Sequence, residues 1–200
     1  MRKNQKLRGI IFIISFFILA VFTVISVIQK HNFVPDNVLG FLLIGLVYLV
    51  QKRSRVSDLS IILVNLSLLM HTSGTLGLYG KFVVSIIGFD KLVHIFAGFA
   101  VTIFSFQVIS EERRLFFIPF AILVVLGLGA VIEINEYIGT RYFGINNGGM
   151  FAIGDELPEM KSDLQKYDTY WDMMFNLFGS VLSGICLTAY YRIKQNPKSS

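Results

Sequence analysis

Long apolar runs alternate with short polar segments along the whole chain. A hydrocarbon core of roughly 30 Å needs about 20 helical residues to cross it. Because lipid cannot hydrogen-bond to backbone N–H and C=O groups, apolar runs of this length are predicted to be helices. Six runs come close to that length, and we predict spans at residues 9–28, 34–50, 59–79, 91–109, 115–137 and 171–191.

The first run follows a basic segment, as the apolar core of a cleaved secretory signal does. It is longer than the roughly 7–15 residues of a signal core. No small-x-small cleavage pattern follows it, since the chain continues Gln29-Lys30-His31. We therefore predict an uncleaved membrane anchor.

Lysine and arginine predict the orientation of the spans, because basic residues concentrate in cytoplasmic segments. When the span ends are assigned alternately from an inner N-terminus, twelve of the 18 basic residues lie at inner ends and six at outer ends. We therefore predict six transmembrane helices in one bundle with both termini cytoplasmic. The net charge of +5 then reflects membrane orientation more than a basic patch for a partner.

The connection between the fifth and sixth spans is long. Residues 139–170 are rich in glycine, asparagine and acidic residues, and the predicted topology makes them an extracytoplasmic loop. Connections of this length are more often functional or flexible than plain linkers.

Composition excludes several classes of protein. Apolar residues make up 54% of the chain and charged residues 16%, against about 25% charged in soluble domains. That excludes a disordered chain and argues against a nucleic-acid binder. A single cysteine, Cys186, excludes intramolecular disulfides and a cysteine-rich metal site. We expect an all-α integral protein of the cell (inner or plasma) membrane, with residues 1–200 as one multi-pass transmembrane domain.

Ionisable side chains inside apolar spans are costly and mark functional sites by default. Asp90 and His94 are four residues apart at the start of the fourth span and share one helix face. Glu133 and Glu136, three residues apart, share a face near the end of the fifth span. The sixth span opens with three polar residues at helical spacing, and a histidine lies near the end of the third: Asp168, Asp172, Asn176 and His71.

The predicted topology brings all of these side chains to the outer membrane face. Spans three and five end there, and spans four and six begin there. Five carboxylates in one region repel one another unless some are protonated, paired or bound to a cation. Lys91 and Arg141 are basic partners nearby in the sequence.

The residue types suit a cation. Carboxylate and amide oxygens suit Ca²⁺, Mg²⁺ or Mn²⁺, and an imidazole nitrogen allows Zn²⁺. The candidate metal ligands are Asp90, His94, Glu133, Asp168 and Asp172. Glu133 and Glu136 are the candidates for a catalytic general base, and His71 and Asn176 complete the polar pocket.

Structural roles compete with these assignments. Asp90 and Asp168 could cap the N-termini of their helices. His94 could simply hydrogen-bond to Asp90, and Glu133 could form a structural salt bridge. Asn176 could hold two helices together by hydrogen bonding.

Four stretches resemble the motifs of the VanZ-like and YjdF-like bacterial membrane proteins, in the same order. They are LLMHTSGTLGLY, FDKLVHIFAGFA, GAVIEINEYIGTRYFG and YDTYWDMMFNLFGS, and the resemblance extends from about Leu68 to Gly184. It implies an integral inner-membrane protein and a shared set of polar positions. One branch of the family is associated with resistance to a lipoglycopeptide antibiotic, which implies a role with cell-envelope lipids or their precursors. The implied positions are His71, Asp90, His94, Glu133, Glu136, Asp168, Asp172 and Asn176.

Three functions remain open at this point. The first is a polar, cation-binding site at the outer leaflet that binds or modifies an envelope lipid or lipid-linked precursor, by metal-activated hydrolysis if it is an enzyme. The second is a proton- or cation-coupled transporter, and the third is a non-catalytic membrane subunit. The depth of the acids discriminates: a polar path reaching the inner face favours transport, whereas acids confined to the outer boundary favour a lipid site.

Overall fold

The structure, a computed structural model, describes residues 2–28, 34–78, 82–84, 87–110, 114–143 and 168–195. These residues form six α-helices: α1 (Arg2–Ile28), α2 (Val34–Arg53), α3 (Asp58–Ser73), α4 (Phe89–Ile109), α5 (Ile118–Phe143) and α6 (Asp168–Gln195). A short antiparallel pair of strands, β1 (Phe82–Val84) and β2 (Ile87–Gly88), precedes α4.

Four helical segments within the described residues are long and apolar enough to cross a membrane. They are Gln5–Ile28, Phe89–Ile109, Leu115–Ile134 and Thr169–Lys194, and α3 is apolar but shorter. Large apolar side chains on these segments lie outside the core; Phe17, for example, is 67% exposed and Leu123 is 62% exposed. Apolar surface on this scale is typical of a protein whose outer faces contact lipid.

Several helix boundaries differ from the sequence-based prediction. The third predicted span runs to residue 79, but α3 ends at Ser73 and a π-helical turn, Gly74–Leu78, follows, with Gly77 at a φ of 103°. That left-handed conformation favours glycine and interrupts the π-helical turn. The predicted loop at 139–170 is shorter, because α5 continues to Phe143 and α6 already begins at Asp168. An apolar run marks contact with lipid, whereas backbone hydrogen bonding can continue a helix through polar residues. Residues 144–167 of that loop lie outside the described residues.

Arg8 joins the first three helices at one end of the bundle. Its guanidinium donates to the Asp58 carboxylate over 2.7 Å and to the backbone carbonyls of Gln51 and Val56 over 3.2 and 2.6 Å. The start of α1, the end of α2 and the start of α3 therefore lie together.

The end of α4 reaches the same place. The side-chain oxygen of Gln107 accepts hydrogen bonds from the Ser57 N–H over 2.6 Å and from the Ser60 hydroxyl over 3.0 Å. Because α3 begins where α4 ends, the two helices pack antiparallel.

The first helix is part of the packed bundle. Leu19 is 1% exposed, and the Asn37 amide on α2 donates to the buried Ser26 hydroxyl over 3.3 Å. These contacts pack α1 against α2.

Helices α4 and α6 lie side by side and parallel. Near their starts, the Lys91 ammonium lies 2.7 Å from Asp172 Oδ1, and near their ends the rings of Phe106 and Tyr191 are 5.8 Å apart. Contacts at both ends in the same chain order require a parallel arrangement. The beginnings of the two helices therefore meet at one end of the bundle.

Glycine brings these two helices into backbone contact. A Cβ atom added at Gly98 would collide with the backbone oxygen of Asn176, and one added at Gly179 would collide with the backbone oxygen of Ile95. Small residues allow this close approach in membrane helices. The contact fixes the height of α4 against α6 about two to three turns beyond their starts.

Candidate functional site

The start of α4 carries three of the relevant side chains. The N-cap of this helix is Gly88, with extended backbone, so the interpretation of Asp90 as the N-cap is wrong and Asp90 lies in the first turn. Lys91 and His94 are three residues apart and point to the same side of the helix. This side faces α6, because both residues contact Asp172 there.

Three helices contribute to one compact group of side chains. His94 on α4, Glu133 on α5 and Asp172 on α6 each offer a ligand atom, and these atoms lie within 4.8 Å of one another. His94 Nε2 and Asp172 Oδ1 are 3.4 Å apart. Glu133 and Asp172 are buried, at 5% and 4% exposure, and His94 is half-buried. We call these three residues the ligand triad.

Lys91 lies against the triad and is itself buried. Its ammonium is 2.7 Å from Asp172 Oδ1 and 2.9 Å from Asp90 Oδ2. Asp90 is the more accessible of the two acids, with 29% of its side chain exposed against 5% for Asp172. Lys91 therefore connects the triad to the mouth of the site.

Acidic side chains outnumber basic ones among the described residues of this cluster. The carboxylates of Asp90, Glu133 and Asp172 lie near one ammonium, that of Lys91. Buried charge is costly unless it is compensated. An acid-rich group of this kind can hold a divalent cation.

The two polar-pocket candidates lie beside the triad. His71 lies in the last turn of α3, the helix that packs antiparallel against α4. Asn176 lies one turn beyond Asp172 and is buried. Its side-chain nitrogen is 2.8 Å from the position that a Cβ at Gly129 of α5 would take, so the amide fills the space between α5 and α6.

The structure thus brings together four of the candidate ligands and both pocket residues. The ligands are Asp90, His94, Glu133 and Asp172. For Glu136 and Asp168 the helical backbone is described, but their side chains lie outside the described residues, as does that of Arg141.

Sequence reasoning gave Lys91 too small a role, as a nearby basic residue only. The signal was its spacing of three residues from His94, which places both on one helix face. The spacing could not identify Asp172 as the partner of Lys91, because Asp172 is 81 positions further along the chain.

Beyond the triad, α4 and α6 pack closely against each other. The Ser180 hydroxyl donates to the Asn176 carbonyl over 2.7 Å and lies 3.4 Å from the Gly98 carbonyl, across the backbone contact of α4 with α6. Further along the two helices, Phe106, Leu187 and Tyr191 belong to one buried cluster. In the described part of the bundle, a tight helix contact follows the polar site, and beyond it buried apolar side chains are interspersed with small buried polar ones such as Thr102, Ser105 and Ser183.

The ligand triad fits a cation of the zinc type. One imidazole nitrogen and two carboxylates are Zn²⁺ ligands at about 2.0–2.2 Å, and three protein ligands leave a position for water or substrate. Two ligand atoms on one tetrahedral ion are about 3.3–3.6 Å apart, so the atoms of the triad, which lie within 4.8 Å of one another, would draw together around it.

Comparison with known proteins agrees with the membrane architecture. A family model described as "Predicted membrane protein (DUF2238)" matches residues 9–193. No curated protein and no solved structure gives a significant match. The family match includes all six helices apart from their outermost residues, and with them the ligand triad. The chain therefore belongs to the DUF2238 family of predicted membrane proteins.

Proposed function

We propose that this protein binds a divalent cation through His94, Glu133 and Asp172 and uses it on an envelope lipid or lipid-linked precursor. The observation that carries the proposal is the convergence of these three side chains, from three helices, to within 4.8 Å. The site lies at outer-leaflet depth in a multi-pass protein of the cell membrane.

The proposed topology has six spans with both termini cytoplasmic. Two groups of contacts support it. The ends joined by Arg8 and Gln107 are those with inner basic residues, and the ends that meet at the triad are the starts of α4 and α6 and the last part of α5. This is the alternation that the distribution of lysine and arginine predicts.

Metal-assisted hydrolysis is the chemistry that such a site can supply. A bound zinc-type ion lowers the pKa of its water and polarises a carbonyl or phosphoryl oxygen. In this chain His94, Glu133 and Asp172 would hold the ion. Since Glu133 is then a ligand, Glu136, one turn further along α5, is the remaining candidate for a general base.

The tight packing of α4 against α6 favours this function over transport. A coupled transporter needs a polar route to the inner face, and midplane sites in broken helices are typical of such machines. Here the backbone contact at Gly98 and Gly179 and the Phe106–Leu187–Tyr191 cluster follow the site. A site at the outer ends of the helices, above this contact, suits a lipid headgroup at the outer surface.

The proposed lipid substrate draws on the resemblance to the VanZ-like and YjdF-like proteins. This resemblance is more specific than membership of DUF2238, and it belongs to the proposal. It implies the cell envelope, where lipid-linked precursors present their polar groups at the depth of the site.

A non-catalytic subunit that holds the cation for a partner is distinguished by the absence of turnover in the purified, cation-loaded protein.

Elemental analysis tests the cation. The protein is purified in detergent, stripped with a chelator and dialysed against Zn²⁺, Mn²⁺ or Mg²⁺. We expect about one tightly held Zn²⁺ per chain, with anomalous scattering between α4, α5 and α6. Asp172→Asn should lose the ion, whereas Asp58→Asn, which removes a carboxylate at the opposite end of the bundle, should keep it. Equal metal content in the two variants would place the ion elsewhere.

Cysteine accessibility tests the topology. In a Cys186→Ser background, which removes an exposed native thiol, single cysteines are placed at Ser54 and Ser162. A membrane-impermeant reagent added to intact cells should label the second and not the first, because the loop before α6 is proposed to be extracytoplasmic. Labelling of both positions from one side would rule out the six-span topology.

A further inference from the structure

We infer that Lys91 is a tethered competitor of the bound cation and sets the affinity of the site for it. The inference rests on the proposed cation-binding function and assigns to Lys91 a role that none of the candidate ligands has. Its basis is the 2.7 Å contact of the ammonium with Asp172 Oδ1, an acid that the triad also needs.

The geometry makes Lys91 and the cation rivals for one carboxylate. His94 Nε2 is 3.4 Å from the same Asp172 oxygen that Lys91 contacts. A cation held between His94 and Asp172 would therefore lie close to the ammonium. Like charges at such separations, in a site shielded from water, repel strongly.

Asp90 is a second partner for the Lys91 ammonium when the cation displaces it from Asp172. It lies 2.9 Å from Lys91 Nζ and is the more exposed of the two acids. When the cation takes Asp172, Lys91 keeps Asp90 as its partner at the mouth of the site. The ammonium thus compensates Asp172 before the cation arrives and leaves it without becoming an isolated buried charge.

The charge balance also predicts selectivity. The Lys91 ammonium offsets one negative charge beside the triad. Without Lys91 the site is one unit more negative, so every cation should bind more tightly and the preference between divalent and monovalent ions should change. If Lys91 had a purely structural role, its removal would not raise the affinity of the site for cations.

Lys91→Met tests the inference by equilibrium dialysis of the full-length protein in detergent with Zn²⁺. We expect affinity for Zn²⁺ to rise at least about tenfold, since one nearby positive charge is removed. Lys91→Arg, which keeps the charge, should bind Zn²⁺ much as the native protein does. Lys52→Met, which removes an exposed lysine at the other end of the bundle, is the matched control and should also be unchanged. If the metal-free Met variant does not fold, Lys91→Gln, which keeps a donor for Asp172, takes its place.

The outcomes separate the two proposals. Native protein that binds Zn²⁺, with neutral variants that bind it equally or more weakly, would overturn the competition and leave the cation site intact. If neither native protein nor variants bind Zn²⁺, Mn²⁺ or Mg²⁺, the cation function itself fails. Binding by the neutral variants alone would support the competition and show that Lys91 permanently fills the native site.

Discussion

Replacing Glu133 with glutamine should abolish cation binding while the protein still folds and inserts. The amide keeps the shape of the side chain and one acceptor oxygen but loses the charge. Glu133 is buried at 5% exposure, on the part of α5 that faces His94 and Asp172. Loss of even an outer-shell partner of a metal typically costs 10–100-fold in affinity. For a direct charged ligand we expect the loss of Zn²⁺ affinity to be at least about a hundredfold.

The measurement is metal affinity together with thermal stability, with and without Zn²⁺. Native protein should be stabilised by Zn²⁺ in proportion to its binding, and Glu133→Gln should not. Glu133→Asp, which keeps the charge on a shorter side chain, should retain part of the response. If Glu133→Gln instead keeps its activity and melts at a higher temperature, Glu133 is a buried-charge liability and the cation proposal loses its main support.

A methyl group at Gly179 should destabilise the whole bundle. The Cβ of Gly179→Ala would collide with the backbone oxygen of Ile95, and backbone cannot rotate away as a flexible side chain can. Overpacking of this kind typically costs about 1–3 kcal/mol. Because the same contact sets the height of α4 against α6, Lys91 should also lose its alignment with Asp172. We expect a lower melting temperature and weaker Zn²⁺ binding.

Gly127→Ala is the matched control in the neighbouring helix. A Cβ at Gly127 meets nothing within 4 Å, and alanine is the better helix former by about 0.5–1 kcal/mol. This variant should therefore be as stable as the native protein or more so, with unchanged Zn²⁺ binding. Equal behaviour of the two alanine variants would contradict a backbone contact between α4 and α6.

The two predictions are linked through the packing of α4 on α6. The triad needs side chains from separate helices to agree in height to within about an ångström or two. Close packing at glycine limits sliding, because backbone atoms in contact have few alternative registers. The polar site is therefore positioned by the apolar half of the bundle beneath it.

The sequence by itself determined which segments are helical and which polar residues share a face. Apolar runs close to the length that a bilayer needs favour helices over any other backbone structure, so the helices followed from hydrophobicity alone. The spacing of Asp90 with His94 likewise follows from the helical repeat. The convergence of α4, α5 and α6 at one end could be predicted from alternating topology, without knowledge of any contact.

Only the tertiary structure decided which side chains touch. Helical periodicity gives a residue its face, but it gives neither the neighbour that face meets nor the relative height of the two helices. The backbone contacts at Gly98 and Gly179 supply both, and they bring Lys91 to Asp172. The same limit applies to the third predicted span, because the left-handed conformation of Gly77 is a local backbone choice inside an apolar run that hydrophobicity cannot detect.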